Sequence, residues 1–358
     1  MTQSTMLELG ERPAGRGLGG RAAIVLGLAL YVVLLGAASW WALQWLPDRL
    51  SLHALGHTLV VKEVHRRLVS NGLLVFCLLP IALWIECAAV GWAGSSARKL
   101  LFERTPSTKT DLAVFIAGQA HVMDILARLM TLGLSMLSGM WLHDWLAATF
   151  GVTLNADLLP LPAQVVLFFF VYTFFDYWTH RLDHTRWFWP LHRYHHSADE
   201  FTVVTSSRQH PAVFSYIFVI NMPMAALGAS PAVMIWVNTI VIGLGFLIHS
   251  RIDSDWGWVG RWVVQSPVHH RLHHILDMSR PTGHFAMAPI WDRLFGTWRG
   301  DADQSLAIGV DTPYRHGAWL GPDLWRDYCD FWKGWTQLGR RAQPQVPANS
   351  AELNEAAS

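Results

Sequence analysis

Residues 176–197 read DYWTHRLDHTRWFWPLHRYHHS, and residues 266–274 read SPVHHRLHH. They hold three histidine groups. The first is His180 with His184, and the second is His192, His195 and His196. The third is His270, His273 and His274, with His269 in front. The second and third share the pattern His-x-x-His-His. Residues three and four apart on a helix lie on one side of it, so each group is a histidine edge on a short helix. Twelve of the chain's eighteen histidines fall between Asp176 and His284. A lone histidine is more often an ordinary surface or core residue; one spacing repeated in separate groups points to metal. Neutral imidazole binds zinc, copper, iron and nickel. Eight imidazoles are too many for one tetrahedral ion and suit two ions with three to five nitrogens each.

Local signals set the helices. Ser266-Pro267 is a helix start, with Ser at the cap and Pro in the first turn, and Pro190 plays that part before His192. Asp176 precedes His180 by one turn and Asp183 follows it by three residues. A carboxylate there can accept the second ring N–H of a ligand histidine.

The surrounding chain is apolar. Of 358 residues, 52% are hydrophobic and only 15% charged, against about a quarter charged in soluble proteins. Twenty tryptophans suit a chain with much surface at a bilayer interface. A net charge of +1 implies no strongly charged partner and no nucleic acid. Three cysteines, Cys77, Cys87 and Cys329, form neither a disulfide framework nor an iron–sulfur motif.

Apolar segments run over 22–46, 71–93, 111–140, 161–178, 211–228 and 231–248, the last two joined at Ser230-Pro231. A bilayer span takes about 20 residues. Glu86 within the second needs a partner, and His121, Asp124 and Arg128 share a face within the third. The polar stretch 47–70 reads as an amphipathic connecting helix, His53 and His57 within it being a stray pair. The predicted fold is all-α: a polytopic membrane helical bundle with a histidine-rich helical cap facing the cytoplasm, a bacterial inner membrane being the expected location. The span count and the absence of Lys and Arg from 141–160 support that side; Arg49, Lys62, Arg66 and Arg67 run against it. The expected divisions are a disordered tail (1–20), a transmembrane region (21–160), a catalytic domain (161–300), a polar helical extension (301–339) and a second disordered tail (340–358).

The three groups resemble the histidine boxes of the fatty acid hydroxylase/sterol desaturase superfamily. Ser197, Arg208-Gln-His210-Pro211 and Trp291-Asp292-Arg-Leu-Phe-Gly296-Thr297 resemble that family's pattern too, so the likeness runs over roughly 165–300. It implies a membrane-bound di-iron oxygenase that hydroxylates or desaturates a lipid, with O₂ as co-substrate; zinc is expected to replace iron in purified protein. It also suggests His249 as a ninth ligand. Where the family commonly has Asn-Tyr-Gly, this chain has Gly283-His284-Phe285, and His284 is expected to shape the substrate entrance rather than bind metal. His210 and His269 are weaker candidates. No Glu-x-x-His, dinucleotide fingerprint or haem motif occurs, so electrons must come from a separate reductase with a ferredoxin or cytochrome. The alternatives are a zinc-dependent lipid hydrolase, for which eight or nine histidines are too many, and a metal transporter, for which ligands would sit near the bilayer midplane rather than beyond the span ends.

Overall fold

The computed structural model describes residues 18–45, 47–54, 57–61, 65, 77–120, 122–123, 145–151, 159–213, 224, 229, 231–276, 283–300 and 307–336. Residues 1–17 and 340–358 of the expected disordered tails, the His121–Asp124–Arg128 face and most of the segment 211–228 lie outside them, whereas Leu18–Gly20, expected in the first tail, are helical. Among the described residues the fold is helical apart from one two-stranded ribbon.

Helix α1 (Leu18–Trp45) opens the chain. Strands β1 (Leu50–Ala54) and β2 (His57–Val61) follow as an antiparallel pair. This corrects the expected connecting helix. Leu50, Leu52, Leu59 and Val61 recur with period two, and Thr58, Val60 and Val61 are β-branched, both of which favour a strand. The register sets His53 opposite Thr58 and His57 opposite Ala54, so the two histidines have no helical four-residue stagger.

Helix α2 (Leu79–Gly94) is kinked at Gly91 (φ 75°) and leads directly into α3 (Ser96–Phe102). Glu86 in α2 is fully buried, yet its partners are neutral. It accepts from Ser96 N at 2.6 Å, Ser96 Oγ at 2.7 Å and Arg251 N at 2.7 Å. Helix α4 (Pro106–Gln119) starts earlier than the apolar pattern implied, because Thr105 caps it through Thr108 N and Pro106 fits its first turn.

Helix α5 (Leu161–Asp183) starts after Pro160 and continues past the apolar run through His180. It is long and apolar enough to cross a membrane, the only such helix among the described residues. Its Phe168 and Tyr172 pack on Val233 and Val237 of α7 (Pro231–Ile248), with Met224. Helix α6 (Trp189–His196) carries the second histidine group, and a 3₁₀ turn follows at Val203–Ser207. Beyond α7 come α8 (Gly257–Trp262), α9 (Pro267–His273) with the third group, α10 (Ile290–Leu294) and α11 (Gly321–Thr336). Ser266 accepts from His269 N at the start of α9, as its sequence predicted. Phe331 of α11 packs on Leu191 and Ala212, so the C-terminal helix backs the second histidine group.

Candidate metal centre

Nine histidines on four elements meet in two adjoining groups. One holds His180, His184, His192, His196 and His273; the other holds His195, His249, His270 and His274. Within each, one ring nitrogen per residue lies within 4.8 Å of all the others. His196 of one group stacks on His274 of the other with ring centroids 4.0 Å apart.

Helix geometry explains the sorting. Successive residues turn by about 100°, so a residue four along points about 40° forward and one three along about 60° back. Helix α6 therefore sends His192 and His196 to the five-membered group and His195 to the other. Helix α9, with the same pattern, sends His270 and His274 to the four-membered group and His273 across. Helix α5 adds His180 and His184, and His249 arrives at the end of α7.

The second ring nitrogens fix the tautomers. A carbonyl oxygen only accepts, so the Nδ1 facing it carries the proton. His180 donates to Phe285 O at 2.6 Å, His195 to Arg208 O at 3.1 Å, His249 to Gly245 O at 2.8 Å and His273 to Gly283 O at 2.8 Å. His270 donates to Gln265 Oε1 at 2.9 Å. The Gln265 amide is itself oriented, because its Nε2 donates to His284 O at 2.7 Å.

The Nε2 atoms of these residues are consequently bare lone pairs, and they face one another. His249 Nε2 lies 2.9 Å from His270 Nε2 and 3.4 Å from His195 Nε2. Other Nε2 pairs have the same spacing: His180–His192 at 3.1 Å, His192–His196 at 3.1 Å, His184–His273 at 3.2 Å and His270–His274 at 3.2 Å. Two nitrogens each about 2.1 Å from one ion lie roughly 3.0 Å apart at a right angle and roughly 3.4 Å apart at the tetrahedral angle. Convergent lone pairs repel unless a cation sits between them. Between His249 and His270, and between His249 and His195, neither neutral ring has an Nε2–H to offer, and burial, reinforced by neighbouring imidazoles, holds His195 and His270 well below the usual histidine range, so no added proton bridges them. The donor set therefore fits metal.

Aromatic rings line both groups. Phe285 lies against His180, His184 and His273. Phe201 lies against His249, His270 and His274, and Trp189 against His184 and His196. A narrow cleft lined by Asp183, Phe188, Leu191, Gln209 and Val213 reaches His192.

The remaining sequence candidates lie elsewhere or act differently. Asp176 accepts from the backbone of Met287 and binds no ligand histidine. Asp183 Oδ2 is 3.9 Å from His192 Nδ1, too far for a hydrogen bond. His210 is buried with both nitrogens engaged, Nε2 donating to Leu324 O at 2.9 Å and Nδ1 accepting from Ala212 N at 3.0 Å. His269 and His284 stack near Trp298, outside both groups. His269 Nδ1 is 2.8 Å from Ser266 Oγ, and His284 Nε2 accepts from Arg299 N at 3.3 Å. His284 has φ 57° and is buried.

Residues to which the sequence assigned no role at the site supply the support. Asp292 accepts from Phe285 N at 2.8 Å, Ala286 N at 2.9 Å and Thr297 Oγ1 at 2.7 Å. It thereby fixes the strand-like turn whose Phe285 carbonyl holds His180. Gly283 is obligatory at that turn, since a Cβ would overlap the Thr297 carbonyl. The Trp-Asp motif was visible in the sequence, but its connection to His180 was not.

The fatty acid hydroxylase family matches residues 165–297. The chain is 31% identical over 160 residues to an ornithine lipid hydroxylase of Rhizobium tropici, covering 43% of this chain and 47% of that one. It is 31% identical over 134 residues to an alkylglycerol monooxygenase of Xenopus tropicalis, 36% of this chain and 29% of that one. A C-4 methylsterol oxidase of Schizosaccharomyces pombe is 24% identical over 176 residues, 44% of this chain and 55% of that one. The chain thus spans about half or less of the length of these relatives. No solved structure matches it. The residues that match the fatty acid hydroxylase family contain all nine clustered histidines.

Proposed function

We propose that the chain is a membrane-bound, O₂-dependent di-iron oxidoreductase that hydroxylates or desaturates a lipid. The observation that carries this is the pair of buried imidazole groups, five and four, with their lone pairs converging. Nine nitrogens exceed the three protein ligands usual for catalytic zinc, and two of the relatives above are named as a hydroxylase and a monooxygenase of lipids. Bound iron supplies O₂ reduction and C–H oxidation. The chain's own residues hold the ions, fix the ring tautomers through backbone carbonyls, and exclude water with Phe201, Phe285 and Trp189. Residues 161–300 form the catalytic unit, with α11 bracing it.

Lipid contact is supported by large apolar side chains standing exposed on the long helices: Leu30, Val33 and Leu34 on α1, Val166 on α5, and Ile235 and Trp236 on α7. Contiguous exposed apolar surface marks a membrane or a partner. In this reading the chain is polytopic, the histidine cap faces the cytoplasm, and a separate reductase with a ferredoxin or cytochrome delivers electrons. The test is metal analysis of protein purified from membranes, followed by O₂ uptake with candidate lipids and a reductant. About two irons per chain and lipid-dependent O₂ uptake are expected. Lipid hydrolysis without O₂, by a zinc-loaded chain, would refute the proposal.

A further inference from the structure

Arg208 is fully buried, and so is Asp111. They form an ion pair at 2.6 Å between Arg208 Nε and Asp111 Oδ1. Asp111 lies on α4, well before the segment that matches the family. Its other oxygen accepts from Thr205 Oγ1 at 2.6 Å and Thr202 Oγ1 at 3.5 Å. Arg208 also donates to Ser107 O at 2.6 Å, Ser107 Oγ at 3.0 Å and Ser197 Oγ at 3.1 Å. Every partner lies on α4, on the turn after α6, or on the 3₁₀ turn and its flanks. A planar, permanently charged guanidinium with several fixed donors is rigid in such a setting.

What this lock holds is the main-chain carbonyl of Arg208, which accepts the Nδ1 proton of His195. Ser197, held by the same guanidinium, is the residue after His196 and closes α6 by donating to Tyr194 O at 2.7 Å. His195 is thus fixed from the C-terminal side of α6 by an aspartate of the N-terminal region. We propose that Asp111 is a positioning residue for the four-histidine site: through Arg208 it sets the ring orientation and tautomer of His195. The five-histidine site receives none of its carbonyl anchors from this lock, since His180 and His273 rest on Phe285 O and Gly283 O.

The inference rests on the two-ion reading and predicts a selective effect. Loss of a group orienting a ligand from behind typically weakens metal binding ~10- to 100-fold. The full-length apoprotein in detergent is titrated anaerobically with Co²⁺, whose visible bands report the number and geometry of nitrogen ligands, and its thermal unfolding is followed without metal. Asp111→Asn is expected to bind one Co²⁺ as the wild type does and the second ~10- to 100-fold more weakly. Val237→Ala, in the α5–α7 core, is expected to lower the melting temperature with both sites intact. The double variant Asp111→Asn/Arg208→Met removes both charges together. It should recover thermal stability but not the second site, which separates positioning from folding and also serves if Asp111→Asn alone does not fold. Wild-type affinity at both sites, in either variant, overturns the proposal; so does equal weakening of both sites. Wild-type protein that takes up fewer than two Co²⁺ would instead refute the two-ion reading.

Discussion

Removing His249 separates a ligand from a neighbour. Its Nε2 is 2.9 Å from His270 Nε2 and 3.4 Å from His195 Nε2, inside the group of four. Its Nδ1 bonds only to Gly245 O in its own helix, a carbonyl that already accepts His249 N. His249→Ala therefore strands no distant partner, and it removes one of the facing lone pairs. The metal-free protein should change little, by about 1 kcal/mol or less for one local hydrogen bond. The metal-bound protein should change much more. Three nitrogens remain where four stood, and a site weakened ~100-fold loses about 2.8 kcal/mol of binding free energy, at about 1.4 per tenfold. That loss appears as reduced metal-linked stability. The assay is iron per chain in membrane-purified protein, with unfolding measured before and after chelation. His249→Ala should fall from about two irons towards one and lose nearly all turnover. His284→Ala should keep its iron, since that ring packs on His269 and Trp298 and lies outside both groups. Full iron in His249→Ala, or iron loss in His284→Ala, would show the reasoning to be wrong.

Asp292→Asn should loosen the Phe285–Ala286 backbone and weaken metal at the five-histidine site ~10- to 100-fold, read by metal titration; unchanged affinity would mean that Phe285 O does not depend on Asp292. His210 is pushed down to about 4 by burial, against the Leu324 carbonyl that favours its charged form. Folding then suffers no penalty above about pH 6.5. Below that the unfolded chain takes up a proton that the folded chain refuses, so stability falls by about 3 kcal/mol by pH 4. Replacing His210 with Asn should flatten that part of the unfolding curve, and identical acid slopes would count against it. For topology, a cysteine at Asp199 should resist an impermeant thiol reagent in intact cells while one at Asn155 labels; the opposite pattern would place the histidine cap outside the cytoplasm.

The sequence by itself determined the histidine edges, because spacing along a helix is a local property. His-x-x-His-His fixes which rings share a side wherever the helix packs. The cap at Ser266 and the proline starts of α6 and α9 were likewise local and legible, as was the apolar run of α5. The strand character of 50–61 was also written locally, in the period-two leucines and valines, but it competed with histidines at a helical spacing. Other features depended on residues far apart in the chain. Only the tertiary structure brought His273 across to the first two groups and His195 to the third. It alone showed that the ring partners are main-chain carbonyls of Arg208, Gly283 and Phe285 rather than Asp176 or Asp183. Every residue carries a carbonyl, so sequence has no letter for one that is aimed. The same holds for Asp111. Its value comes from a buried guanidinium delivered by a turn 97 residues later, and only the packing of α4 against that turn could show it.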